Sequence, residues 1–130
     1  MKRTQLNKMQ KRILFYSYDF SYGLSLLMFF SDNYYVTSTT DLDSIPKMFS
    51  KNKYDLILID EEPTDKVLSL CKYLKEKNPN LIIILTCAYK LKDNHKNNKL
   101  INKSIDFIFY KPVDLLEISK ALHLSSVVYN

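Results

Sequence analysis

Three residues of different chemical type each follow a short apolar run that is typical of a buried strand: Asp60, Thr86 and Lys111. If these runs are neighbouring parallel strands, their carboxyl ends meet at one edge of the sheet, and the three side chains can converge on one small pocket. Such a set suits an anionic group. Lys111 would balance charge, Thr86 would donate a hydrogen bond, and Asp60 would be a nucleophile or a metal ligand.

Five runs of strand length recur along the chain, several of them rich in aromatic and β-branched residues. They predict strands at 12–17, 34–39, 54–60, 81–86 and 106–110. The third run is apolar on both faces, which is typical of a parallel strand covered by helices on each side. The fourth run is the most apolar of the five.

Helical patterns fill the intervals between the strands. They predict an apolar helix at 20–30, a short helix at 43–50 with Pro46 in its first turn, and a helix that buries Val67, Leu70, Cys71 and Leu74. Residues 90–104 form the weakest helical pattern. A last helix opens like a capping box at Asp114 and Glu117, and its inner face carries Leu115, Ile118 and Leu122.

This alternation predicts an α/β protein with one doubly wound domain, a five-stranded parallel sheet and helices on both faces. We expect a polar extension at 1–10, the domain at 11–124 and a short tail at 125–130.

The composition excludes several kinds of site. With 46% hydrophobic residues in 130, the chain can form a sizeable core. Its one glycine, Gly23, cannot build a phosphate-binding loop or a dinucleotide fingerprint. Cys71 and Cys87 lack metal-ligand spacing and are expected to be buried, reduced thiols. His95 and His123 also lack a partner at metal spacing and are expected on the surface.

The net charge of +5 comes from 19 Lys and Arg against 14 Asp and Glu. The lysines are spread along the chain among asparagines, and Arg3 and Arg12 are the two arginines. This pattern favours a solvated basic surface over a nucleic-acid face, which usually concentrates its cations on one stripe. Nucleic-acid binding stays open if the basic surface is used or if an output domain lies outside this sequence.

No signal peptide or membrane-spanning segment is recognisable, because the longest apolar stretch, 23–30, is far shorter than the roughly 20 residues that a bilayer requires. We therefore expect a cytoplasmic protein without membrane insertion. No nucleophile–base pair or cofactor loop indicates an enzyme, so we expect no independent catalytic site.

The motifs Asp55-Leu-Ile-Leu-Ile-Asp60, Leu85-Thr-Cys-Ala88 and Lys111-Pro112 resemble the receiver domain of two-component response regulators over residues 12–123. The resemblance implies a flavodoxin-like sheet of order 2-1-3-4-5. It also implies that Asp60 accepts a phosphoryl group from a histidine kinase or phosphotransfer protein, and that any catalysis by the chain is at most self-phosphorylation from a phosphodonor. Thr86 and Lys111 would contact that group and switch a distant face toward a downstream protein partner or a homodimer.

The sequence departs from the receiver pattern at the end of the first strand. Receivers place two adjacent acidic residues there to hold a divalent cation, whereas this chain has Ser17 and Tyr18. The ligands left for Mg²⁺ are Asp60 with Asp19 and Glu62, a weakened set.

Two further departures lie after the third strand and in the fifth. The loop Asp60-Glu-Glu-Pro-Thr-Asp-Lys66 is short and lacks the usual glycine. The aromatic switch position of strand five falls on Ile108, or on Phe107 or Phe109 if the strand contains a bulge. The sequence thus predicts a receiver that is phosphorylated on Asp60. The alternative is a phosphorylation-independent pseudo-receiver that serves as a binding or dimerisation module, followed by a basic nucleic-acid-binding protein.

Overall fold

The computed structural model describes residues 11–88 and 103–128, with side chains in the last helix up to His123. Five strands form one parallel sheet in the order β2-β1-β3-β4-β5, which confirms the expected doubly wound fold and its strand order. The strands are β1 (Arg12–Ser17), β2 (Tyr35–Thr39), β3 (Leu56–Asp60), β4 (Ile82–Cys87) and β5 (Phe107–Tyr110).

Four helices in the described residues connect and cover these strands: α1 (Phe20–Phe30), α2 (Ile45–Lys51), α3 (Asp65–Lys77) and α4 (Leu115–Val128). A 3₁₀ turn at Leu42–Ser44 precedes α2, and Pro46 lies in the first turn of that helix, where its missing N–H costs nothing. The predicted bounds of α1 agree with the structure, and α4 extends past residue 124. Most of the weak helical pattern at 90–104 lies outside the described residues.

Two apolar layers hold the helices on the sheet, because successive strand residues point to opposite faces. Leu14, Ile57, Ile59, Ile83 and Leu85 pack on one face, where α3 contributes Val67, Cys71 and Leu74. Ile13, Phe15, Leu58 and Ile84 pack on the other, where α1 contributes Leu26 and Phe30 and α4 contributes Ile118 and Leu122. β1, β3 and β4 are thus buried from both sides, as the continuous apolar run of β3 predicted for that strand.

Side-chain caps fix where the helices begin. Asp19 Oδ1 accepts hydrogen bonds from the backbone N–H groups of Ser21 and Tyr22 at the start of α1. Thr64 accepts from Val67 N at the start of α3, and Asp114 accepts from Leu116 N at the start of α4. Each cap satisfies a donor that the first helical turn leaves unpaired.

The outer side of α1 is apolar but not part of the core: Phe20, Leu24, Met28 and Phe29 are exposed there. The helix buries Gly23, Leu26 and Phe30 along a single stripe, and the other apolar residues exceed what that stripe can hold.

The structure also shows where the cysteines and one of the two histidines lie. Cys71 and Cys87 are free, fully buried thiols, and His123 is exposed, as predicted. His95 lies outside the described residues. Within the described ranges, no helix is long and apolar enough to span a membrane.

Candidate functional site

The register of the central strands places three polar residues side by side at the carboxyl edge of the sheet. Ser17 of β1 pairs with Asp60 of β3, and Asp60 pairs with Thr86 of β4. Lys111 follows β5, and its backbone N–H donates to the Cys87 carbonyl at the end of β4. The strands therefore deliver Asp60, Thr86 and Lys111 to one point, as the sequence predicted.

Asp60 lies at the centre of this group, with its side chain 4% exposed. Thr86 donates its hydroxyl to Asp60 Oδ1 at 2.7 Å, and Lys111 Nζ lies 2.8 Å from the same oxygen. Ser17 donates its hydroxyl to Asp60 Oδ2 at 2.7 Å. Both carboxylate oxygens thus accept hydrogen bonds, and a buried carboxylate is stable only with such compensation.

Sequence reasoning identified Ser17 only as a missing acidic residue and did not foresee its contact with Asp60. The Ser17 hydroxyl also accepts a hydrogen bond from the backbone N–H of Asp19, so it joins the carboxylate to the loop that begins α1. The signal was available in the sequence, because strand-end residues of adjacent parallel strands are neighbours. A serine beside an aspartate at that edge can donate to it.

Asp19 caps α1 in the structure. Its carboxylate oxygen Oδ1 accepts from two backbone N–H groups of the first turn, at 2.9 and 3.3 Å. Helix capping is a common role for an aspartate directly before the first helical residue.

Glu61 and Glu62, which directly follow β3, are linked by hydrogen bonds to the end of β4 and the residue after it. Glu62 Oε2 accepts from the backbone N–H of Ala88 at 2.6 Å, and the Cys87 thiol donates to the Glu61 carbonyl at 3.6 Å. Pro63 is buried behind them. These contacts join the loop after β3 to the end of β4, so Asp60 lies between two connected loops.

The residues proposed as ligands for Mg²⁺ do not fit such a site. Within residues 11–88 and 103–128, no group of three His, Cys, Asp or Glu side chains is arranged to hold a metal ion. Asp19 is committed to its helix, Glu62 to a backbone N–H, and the Ser17 hydroxyl binds the Asp60 oxygen from the place where a receiver carries an acidic pair. A hydroxyl that donates its proton to Asp60 adds no negative charge for a divalent cation.

Tyr22 covers the lysine side of the site. Lys111 Nζ lies 5.3 Å from the centre of the Tyr22 ring, within the range of a cation–π contact. The Tyr22 hydroxyl is buried and has no hydrogen-bond partner among the described residues. Burial raises the pKa of this phenol. The nearby Thr86 hydroxyl acts in the opposite direction, and the charge of Asp60 raises the pKa further.

Two other groups respond to the negative charge of the site. Burial raises the pKa of Tyr16, and the charges of Glu61 and Asp60 add to the effect. Burial likewise raises the pKa of the Cys87 thiol to about 12, with Glu62 and Asp60 contributing. Both groups are therefore neutral at physiological pH, and Cys87 is not a reactive thiolate.

The switch position of β5 contains no aromatic residue. β5 pairs with β4 in continuous register, with Ile108 opposite Leu85 and Phe109 opposite Thr86, so the strand has no bulge. Ile108 packs against the cluster that contains Tyr16 and Leu85. Phe107 and Phe109 pack on the opposite face.

Comparison of the sequence with protein families and with curated proteins finds no match. Solved structures do match. The receiver domain of a Francisella response regulator is 21% identical, with 93% of this chain and 100% of that one covered and a TM-score of 0.76. An orphan response regulator of H. pylori is 13% identical, with 91% and 98% covered and a TM-score of 0.77.

A Burkholderia pseudomallei protein described as related to pilus assembly is 18% identical, with 91% of this chain and 90% of that one covered and a TM-score of 0.75. Response-regulator receiver domains from several other organisms align over similar lengths. At identities of 13–21% these similarities establish architecture. The chain has the fold of a response-regulator receiver domain.

Proposed function

We propose that this chain is a pseudo-receiver: a protein-interaction module of receiver fold, acting in the cytoplasm, that works without phosphorylation of Asp60. The observation that carries the proposal is the hydrogen bond from Ser17 to Asp60 Oδ2. It fills, with a neutral donor of this chain, the side of the carboxylate that a receiver's acidic pair and cation would face.

Electrostatics support this assignment. A phosphodonor brings two or more negative charges toward Asp60, and Glu61 and Glu62 directly follow it in the chain. Lys111 is the cation in contact with Asp60, and its charge already balances that carboxylate. Without a carboxylate pair to recruit Mg²⁺, approach of the donor is opposed by like charge at short range.

The geometry around Asp60 supports the pseudo-receiver proposal as well. Phosphoryl transfer requires one Asp60 oxygen to reach phosphorus in line with the leaving group. Oδ1 accepts from Thr86 and Lys111, and Oδ2 accepts from Ser17. An attacking oxygen would therefore have to give up at least one of these donors before the new bond forms.

The second candidate is a phosphorylated receiver with Asp60 as acceptor, Thr86 and Lys111 as the phosphoryl-contacting pair, and a histidine kinase or phosphotransfer protein as donor. It is favoured by one observation: Thr86 and Lys111 meet at the same oxygen of Asp60, 2.7 and 2.8 Å away. A phosphoryl group on that oxygen would remain within their reach after small movements.

Mass spectrometry of the intact chain after incubation with acetyl phosphate and Mg²⁺ separates the two candidates. We expect the mass of the wild-type chain to stay unchanged, while a receiver with a complete acidic pair gains one phosphoryl group under the same conditions. A phosphoryl adduct on the wild type that is lost in Asp60→Asn would overturn the pseudo-receiver.

The variant Ser17→Asp tests whether the missing acidic residue is the reason that Mg²⁺ does not bind beside Asp60. It places a second carboxylate beside Asp60, so we expect it to lower the melting temperature without cation and to make that temperature rise on addition of Mg²⁺. The wild type should show no Mg²⁺-dependent shift. If it shows a shift as large as that of Ser17→Asp, the metal site exists without the acidic pair and the argument from Ser17 fails.

A further inference from the structure

The outer face of α1 is apolar and open to solvent. Met28 is 68% exposed and Phe20 69%, and Phe29 and Leu24 follow at 43% and 40%. Single exposed apolar residues are ordinary, but a continuous group on one helix marks a contact surface. We define the α1 outer face as Phe20, Ser21, Leu24, Ser25, Met28 and Phe29.

The α1 outer face also lacks charge. None of the eleven residues of Phe20–Phe30 is charged, although charged residues make up 25% of the chain. Two copies of a protein with a net charge of +5 repel each other over most orientations. Contact through two uncharged faces brings no like charges together, so this face is the one best suited to meet its own copy.

The arrangement of large and small residues is self-complementary. Phe20, Leu24 and Met28 form a ridge at spacing i, i+4, i+8, and Ser21 and Ser25 form the adjacent row. A ridge of this kind packs into the groove beside the equivalent ridge of a second helix. The Ser25 hydroxyl donates to the Ser21 carbonyl at 3.0 Å, so it can be covered without losing its hydrogen bond.

The exposed area is sufficient for a weak dimer. At about 200 Å² for each fully exposed side chain, the four apolar residues of the face offer about 400 Å² per copy. With the serine row included, two copies would bury about 1,000 Å², which is the lower bound for a specific interface. A two-fold axis would pass near the middle of the ridge, because an isologous contact uses the same patch on both copies.

We infer that the occupant of the α1 outer face is a second copy of this chain, which forms a two-fold dimer by α1–α1 packing. This deepens the proposed function by naming the partner of an interaction module, and so it rests on that proposal. The association constant and phosphorylation are measured separately, and failure of one leaves the other result intact.

Sedimentation equilibrium of the full chain at concentrations up to about 1 mM tests the inference. We expect a reversible dimer with a dissociation constant on the order of 0.1 mM. Added salt should strengthen the association, because it screens repulsion between two basic copies. A chain that stays monomeric throughout this range overturns the inference, and so does a dimer that salt dissociates.

Two substitutions locate the interface. Met28→Lys adds a charge at a 68% exposed position of the α1 outer face and should weaken the dimer at least tenfold. Tyr73→Lys adds the same charge at a 43% exposed position on α3, on the other side of the sheet, and should change the constant less than twofold. Equal effects of the two variants, or no effect of Met28→Lys, would contradict the assignment. Met28→Gln provides a neutral variant in case the lysine disturbs the helix.

Cross-linking tests the identity of the occupant. Leu24→Cys lies at the middle of the ridge and should form an intermolecular disulfide under mild oxidation, whereas Tyr73→Cys should not. The native thiols Cys71 and Cys87 are fully buried and cannot produce the product in the folded state. Absence of the Leu24→Cys product in a preparation that sediments as a dimer would place the interface elsewhere.

Discussion

Two aspartate–lysine pairs lie at opposite ends of β5, and they differ in what else reaches the aspartate. At the start of the strand, Lys75 Nζ lies 2.8 Å from Asp106, and the two side chains are 18% and 31% exposed. At its end, Lys111 Nζ lies 2.8 Å from Asp60, and the aspartate side chain is only 4% exposed while the lysine is 41% exposed.

Asp106 stabilises the backbone. Its carboxylate accepts from the backbone N–H of Ile83 at 2.8 Å, and its own N–H donates to the Ile83 carbonyl. The donors that reach Asp60 are the side chains of Ser17, Thr86 and Lys111. The contacts of Asp106 join the start of β5 to β4, and a structural role accounts for them. A buried aspartate held by three convergent side chains is typical of a functional site or of its remnant.

The largest expected effect is on alkaline stability. The pKa of Cys71 and of Cys87 is about 12 in the folded chain, raised mainly by burial, whereas the unfolded thiols lose their protons near pH 9. Between these values the folded state holds more protons, so the free energy of unfolding falls as pH rises. We expect a loss of about 4 kcal/mol between pH 9 and pH 11, measured by urea unfolding.

The two aspartates should affect this loss differently. The charge of Asp60 raises the pKa of Cys87, Tyr16 and Tyr22, whereas Lys75, the partner of Asp106, acts to lower that of Cys71. Asp60→Asn should therefore make the alkaline decline shallower, and Asp106→Asn should not. Identical slopes in the two variants would show that burial alone sets these pKa values.

The next largest effect is on stability at neutral pH. Asp60→Ala leaves the Ser17 and Thr86 hydroxyls buried without their acceptor, so we expect the free energy of unfolding to fall by about 2–3 kcal/mol. Asp106→Ala removes a partly exposed ion pair and the acceptor of one backbone N–H, and should cost about 1 kcal/mol. Urea unfolding of both variants at pH 7 makes the comparison.

The opposite order would also be informative. If Asp60→Ala is as stable as the wild type or more stable, the carboxylate is held against its own desolvation cost. A carboxylate kept at a cost in stability fits a phosphoacceptor better than a remnant, and the second candidate function would gain support.

Much of this architecture was predictable because it depends on periodicity. The continuous apolar runs ending in Asp60 and Thr86 require a strand buried on both faces, and the change from period 2 to period 3.6 around them requires a covered parallel sheet. Convergence of Asp60, Thr86 and Lys111 follows from that topology alone.

The hydrogen-bond partners of individual polar groups were harder to predict from the sequence. Ser17 could be recognised as an absent ligand, but its donation to Asp60 depends on cross-strand register. The exposure of Met28 could not be foreseen either, because an uncharged helix gives no sign of which side faces the sheet. Its buried stripe is set by Gly23, Leu26 and Phe30, which fit against β1.

The smallest effects concern single donors, and they give the sharpest test of the Asp60 network. Ser17→Ala and Thr86→Val each remove one hydroxyl from the carboxylate and should each cost about 1 kcal/mol, while Lys75→Met at the other pair should cost about 0.5 kcal/mol.

If the three donors act as a unit, the double variant Asp60→Ala/Ser17→Ala should lower the free energy of unfolding by less than the sum of its single changes. The reason is that removing both partners leaves fewer buried groups unsatisfied, and we expect a coupling of about 1 kcal/mol. Strict additivity would mean that the coupling free energy between Ser17 and Asp60 is zero. The Ser17 hydroxyl would then not take the place of the missing acidic pair.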